Sequence, residues 1–266
     1  MKNQWLKGIS VVIVATLAIG VNILGFAKTR KDSQEQQIEQ AVVTINSQVK
    51  QLDSVKKSIN AVYVDETQDL LQPNTTVEQI TKIENELNRL KVTASDFSLS
   101  ASDLPAEVEN LSQVKSQLQT QLQAVRDKVK LQEKLIKLFT NETINFNQVT
   151  NDVIIRKDAT LAEIEELQEA VEKISGDQWK TMMNEYLDYA TAQVNRVNDL
   201  QASFEEMLNE GVVTESATYE RYLSVTDSVA QVRNPELKEQ FQSQLERISE
   251  QLGFGTTNYY EEQSYY

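Results

Sequence analysis

Three acidic pairs, Glu165/Glu166, Glu205/Glu206 and Glu261/Glu262, are the side chains of this 266-residue sequence whose types come nearest to hydrolytic chemistry. Cleaving a glycan takes two carboxylates across a cleft, one of them held protonated by its surroundings. These acids sit instead between apolar stripe positions on predicted helix faces, where water solvates them, and they read as surface charge. Other chemistries are excluded by residue type. Histidine and cysteine are both absent. That removes Ser-His-Asp triads, thiolate nucleophiles, disulfides, and zinc sites built from His or Cys. No Asp-x-Asp-x-Asp-Gly loop suggests calcium, and no glycine-rich loop suggests a nucleotide phosphate. The expectation is a protein that is not an enzyme and has no metal and no cofactor.

Aromatic residues are the other candidates. Phe139, Trp179, Tyr186, Phe204, Tyr219, Tyr222 and Phe241 fall on apolar stripes and read as core. Trp179 is singled out because it lies beside the break at Gly176. Tyr259, Tyr260, Tyr265 and Tyr266 lie beyond any stripe, in a tail released by Gly253 and Gly255. Two readings of that tail stand: a segment that docks on a partner or stacks on glycan rings, or a soluble disordered end. Trp179 and the four tail tyrosines are the candidate partner-binding residues.

The elements that would position these groups are helices. Gly (7) and Pro (3) are scarce, and apolar residues recur at spacings of three and four, so the chain reads as all-α. One template occurs three times. Thr160 is followed by Leu161, Ile164, Leu167, Val171 and Ile174; Thr76 by Val77, Ile80, Ile83, Leu87 and Leu90; Thr218 by Tyr219, Tyr222, Val225, Val229 and Val232. Thr76-x-x-Gln79 and Thr160-x-x-Glu163 read as capping boxes, whereas the third copy has Arg221 in that place. A longer helix precedes and follows each copy, and breaks at Pro73, Pro105, Gly176, Gly211 and Pro235 invite antiparallel packing. One amphipathic helix cannot bury its stripe, but three together can. The predicted architecture is three tandem three-helix bundles that share long connecting helices, a spectrin-like rod. Its modules are residues 32–130, 131–197 and 198–252, followed by a Tyr-rich flexible tail at 253–266.

Ile9–Phe26 contains eighteen residues without a charge. As a helix it spans roughly 27 Å, close to a hydrocarbon core of about 30 Å. It predicts a transmembrane signal-anchor at residues 9–27 behind a short cytoplasmic segment, residues 1–8. Lys2 and Lys7 favour an inside N-terminus, although Lys28, Arg30 and Lys31 pull the other way. The expected topology is N-in/C-out, single-pass in the cell membrane, with an extracytoplasmic body. All 40 acidic residues lie beyond residue 31, against 26 basic residues in the whole chain, so the body repels nucleic acid.

The endings Tyr63-Val64-Asp65-Glu66 and Phe139-Thr140-Asn141-Glu142, each followed by a Thr-x-x-x-Ile helix opening, carry a resemblance. With Ala61, Val62, Leu87, Leu138 and Val171, they resemble the helical repeats in extracellular regions of Gram-positive surface proteins. Examples are the first extracellular domain of the mid-cell marker MapZ and the related crystal-toxin helical domain. The resemblance covers about residues 33–252 and implies a stalk outside the membrane, linked to division or wall synthesis. The functional expectation is a non-catalytic, membrane-anchored scaffold or adaptor of the bacterial envelope. Its partners would be the membrane, through the N-terminal helix, and a cell-wall component or envelope protein. The alternative is a cytoplasmic, membrane-tethered coiled-coil regulator of the division ring.

Overall fold

The computed structural model describes residues 33–104, 106–141 and 143–253, with backbone alone for residues 33, 34, 101 and 106–109. Its helices are α1 (Ser33–Asn60), α2 (Val77–Arg89), α3 (Ala106–Ile136), α4 (Leu161–Glu172), α5 (Asp177–Met207), α6 (Tyr219–Ala230) and α7 (Pro235–Leu252). Strands β1 (Leu208–Asn209) and β2 (Val212–Val213) form one antiparallel hairpin. Two short 3₁₀ turns, Ala94–Phe97 and Ala101–Asp103, lie between α2 and α3.

In chain order one plan recurs three times: a long helix, a small β-bridge, a threonine-capped short helix, and another long helix. The threonines fix the register. Thr76, Thr160 and Thr218 all have extended backbones, and each accepts a hydrogen bond from the N–H three residues on, at Gln79, Glu163 and Arg221. That satisfies one of the orphan donors at the helix start. Only Glu163 returns the bond to complete a box. At Thr76 the threonine half stands alone, because a carboxylate accepts a backbone N–H more strongly than the amide of Gln79 does. At Thr218 the side chain that replaces the box, Arg221, pairs with Glu206 instead.

The chain divides into two compact units, one of described residues through Leu131 together with Ile174–Lys180, the other of Gln132–Lys173 with the residues from Thr181 onward. The first unit closes on its own core. Ile45, Leu52 and Ile59 of α1, Ile80, Ile83 and Leu87 of α2, and Leu118, Leu122 and Val125 of α3 are buried together. Each buried Leu or Ile contributes roughly 1.5–3 kcal/mol. Lys115, also buried, donates to the Leu90 carbonyl at 2.6 Å and so satisfies the end of α2. In the second unit Phe204 and Phe241 stack at 5.5 Å within a core that includes Val225, Val229, Leu245 and Ile248.

Polar bonds link segments that the expected module bounds separate. Residues 174–180 are bonded to a loop of the first unit, while Arg233 and Asn234, expected in module three, hold a loop expected in module two.

The membrane expectation is corrected. Among the described residues no helix is long and apolar enough to cross a membrane. The long helices α1, α3 and α5 bury a stripe and carry charges throughout the rest of their surface. The expected anchor at residues 9–27 lies outside the described residues, as does the segment 1–8. The described residues therefore contain no transmembrane helix, and they give no support to the single-pass localisation, the N-in/C-out topology or the membrane as partner.

Candidate functional site

The β-bridges are the most specific feature that the three repeats share. Tyr63 pairs with Leu71, Phe139 with Ile155, and Leu208 with Val213. Equivalent backbone bonds follow in each: Gln72 N–H to the Val62 carbonyl at 2.8 Å, Arg156 to Leu138 at 2.8 Å, and Thr214 to Met207 at 3.0 Å. The threonine cap comes four residues after each of these donors, so bridge and cap form one rigid corner.

Each corner is clipped by a polar side chain from the third helix of its repeat. Lys128 Nζ donates to the Asp69 carbonyl at 2.6 Å. Gln193 Nε2 donates to the Val153 carbonyl at 3.0 Å, and Gln251 Nε2 to the Gly211 carbonyl at 2.8 Å. The three acceptors all stand two residues before the second bridge residue. The glutamines also accept: Ile155 N–H bonds Gln193 Oε1 at 3.1 Å, and Val213 N–H bonds Gln251 Oε1 at 3.0 Å. An amide can do both at once, whereas a lysine can only donate.

The first two corners are also closed from outside by the start of a later helix. At the first, the Asp69 carboxylate accepts from the N–H groups of Gln178 at 2.8 Å and Trp179 at 3.3 Å, capping α5 from over a hundred residues away in sequence. Lys128 Nζ lies 3.3 Å from the same carboxylate and 5.5 Å from the centre of the Trp179 ring. Burial pulls the lysine below its usual pKa, and the Asp69 charge opposes that pull. Gly176 is required here. Its φ is +120°, and a Cβ would sit 2.2 Å from Asp69 Oδ1. At the second corner Asn234 caps α7 through its Oδ1 and donates Nδ2 to the Ile155 carbonyl at 2.9 Å. Arg233 reaches the carbonyls of Asn151 and Val153. Tyr186, fully buried, donates to the Asn145 carbonyl at 3.0 Å and accepts from Thr150 N–H at 3.3 Å. The irregular stretch 144–157 is thus tied to α5 and α7 along most of its length.

The sequence candidates fall unevenly around these corners. Trp179 is 0% exposed, at the third helical position of α5, so it anchors the first corner and offers no face to a partner. Tyr259, Tyr260, Tyr265 and Tyr266 lie outside the described residues, as do Glu261 and Glu262. Glu165, Glu166, Glu205 and Glu206 are exposed on helix surfaces. Of the stripe aromatics, Phe139, Tyr186, Phe204 and Phe241 are buried, but Tyr219 is exposed. It is the first helical residue of α6, where the stripe has not yet turned inward. Among the described residues no group of three or more acids could hold a metal ion.

The clips themselves were missed in the sequence, yet a signal was present. Val125-x-x-Lys128-Val129, Ala190-x-x-Gln193-Val194 and Ile248-x-x-Gln251-Leu252 each place one polar residue inside an apolar stripe. No family model, curated protein or solved structure matches this chain.

Proposed function

We propose that the chain is a non-catalytic helical scaffold that acts by binding. The observation that carries this reading is the use of its polar side chains. Four of the five buried polar residues among the described ones, Lys115, Lys128, Gln193 and Asn234, bond backbone groups and hold corners or helix ends in place. Glu165, Glu166, Glu205 and Glu206 lie outside, solvated, on helix surfaces. A repeated corner is a means of building a surface rather than a cleft. The likeness of these repeats to those of Gram-positive surface proteins favours a cell-wall or cell-division component as the partner.

Purified peptidoglycan tests both halves of the proposal. The full chain is expected to leave the glycan intact, and sugar released into solution would overturn the non-catalytic reading. Sedimentation with the same material reads the partner: retention of the chain supports a wall component, and its absence directs the search to division proteins.

A further inference from the structure

The third corner differs from the first two in one respect. Gln251 clips it, but among the described residues no helix start donates to it. The first corner is closed by Gly176–Trp179 at the start of α5, the second by Arg233–Leu237 at the start of α7. The chemistry differs: the α5 start offers backbone N–H groups to the Asp69 carboxylate, whereas the α7 start offers the Arg233 and Asn234 side chains to loop carbonyls. Donors reach acceptors of the loop, and an apolar residue, Trp179 or Leu237, is buried at the third helical position. The bridge itself also differs from that of the first corner. Leu70, opposite Val64 in the first corner, is 7% exposed, while Val212, at the same register opposite Asn209, is 63% exposed. Of the five large hydrophobic side chains exposed among the described residues, three (Val212, Tyr219 and Leu223) belong to the third repeat's hairpin and short helix. Glu210, Glu215 and Glu220 are exposed in the same stretch and outnumber Arg247, whose guanidinium lies beside Gly211, so the surroundings favour a ligand that donates.

We propose that the β1–β2 corner, with Val212 at its tip, is a docking site for the start of a helix from a partner protein. Gly211 stands where the first corner has the Asp69 carboxylate, so the segment it fits follows the α7 start, with a basic or amide side chain just before the helix and an apolar residue in its first turn. It closes the third corner as the start of α7 closes the second. This rests on the scaffold reading and names the surface through which the scaffold binds. Val212 supplies the exposed apolar contact, and the acids around the hairpin attract the incoming donors. A second copy of this chain is a poorer occupant, because its own segments of this kind already close its own corners.

The test uses a peptide of residues 232–246 of this chain, which contains the segment that closes the second corner, titrated into the full chain. Saturable binding is expected, with backbone NMR shifts at Gly211 and Val212 rather than at Val153 and Ile155. Binding should weaken by at least about tenfold for the full chain carrying Val212→Asp. The same loss is expected for the peptide carrying Arg233→Ser, Asn234→Ser and Leu237→Ser. Val212 is exposed, so its substitution leaves the fold in place, which a thermal melt confirms. Absence of saturable binding up to about 1 mM, or equal binding by Val212→Asp, overturns the proposal. Two other outcomes also overturn it. If only a chain truncated after Gly253 binds, the protein's own tail occupies the corner. If the full chain dimerises and Val212→Asp abolishes the dimer, a second copy does. None of these outcomes depends on retention by peptidoglycan, so failure here and failure of the scaffold reading can be told apart.

Discussion

Lys128 and Gln193 reach the same carbonyl position in successive repeats, but one brings a charge and the other does not. The charged clip needs a counter-ion, and Asp69 supplies it while also capping α5. The neutral clip satisfies itself, because its amide donates to Val153 and accepts from Ile155. The two solutions hold the same corner with different vulnerabilities. A charged knot fails when either ion is removed, whereas an amide clip fails only by what it leaves unbonded.

The largest expected effect follows directly. Asp69→Ala leaves Lys128 buried without its carboxylate and the α5 start uncapped, and should cost about 3–5 kcal/mol in urea melts. Adding Lys128→Met to it should recover much of that loss, since removing both ions costs less than stranding one. Equal destabilisation by the single and double variants would show that charge is not what distinguishes the first corner.

Alkaline pH separates the corners next. Tyr63, the bridge residue of the first repeat, has its phenol pushed up to about 12, by burial first and by the Asp69 charge second. The native state therefore keeps a proton that the unfolded chain releases near pH 10. The stability this brings is present in full below pH 10 and is lost as pH rises through 12, up to about 2–3 kcal/mol. Phe139 and Leu208, at the same position in the other repeats, cannot ionise. Tyr63→Phe should remove that part of the alkaline loss, as the difference between wild-type and variant urea midpoints at pH 9 and pH 11.5 will show.

The amide clips differ in exposure. Gln193→Leu strands the buried Ile155 N–H and leaves the Val153 carbonyl only its longer bond from Arg233, and should cost about 1–3 kcal/mol. Gln251→Leu, on an exposed clip, should cost under about 1 kcal/mol, because water takes over both bonds. Thermal melts that ranked the two in the reverse order would contradict the burial assigned to the second corner.

The parts of the molecule that repeat with long periods were readable in the sequence. Three threonines with the same apolar offsets announced α2, α4 and α6, because a helix that buries a stripe must repeat it over several turns. The bridges were not readable. A two-residue pairing has no room for an alternating pattern, and Tyr63-Val64 or Phe139-Thr140 looks like the frayed end of a helix. The clips failed for a different reason: a single Lys or Gln between apolar neighbours is the same text whether it faces water or a carbonyl. Long-range closure was also hidden. Asp69 and Trp179 are joined by folding alone, and only the scarcity of glycine made Gly176 conspicuous.

Hydrogen exchange at three backbone amides, Gln72, Arg156 and Thr214, tests the central claim most directly, because each closes one corner in the same way. All three should be protected to the level of the neighbouring helices α2, α4 and α6. Exchange at the rate of an open loop at any one of them would show that the corner is not a shared structural element.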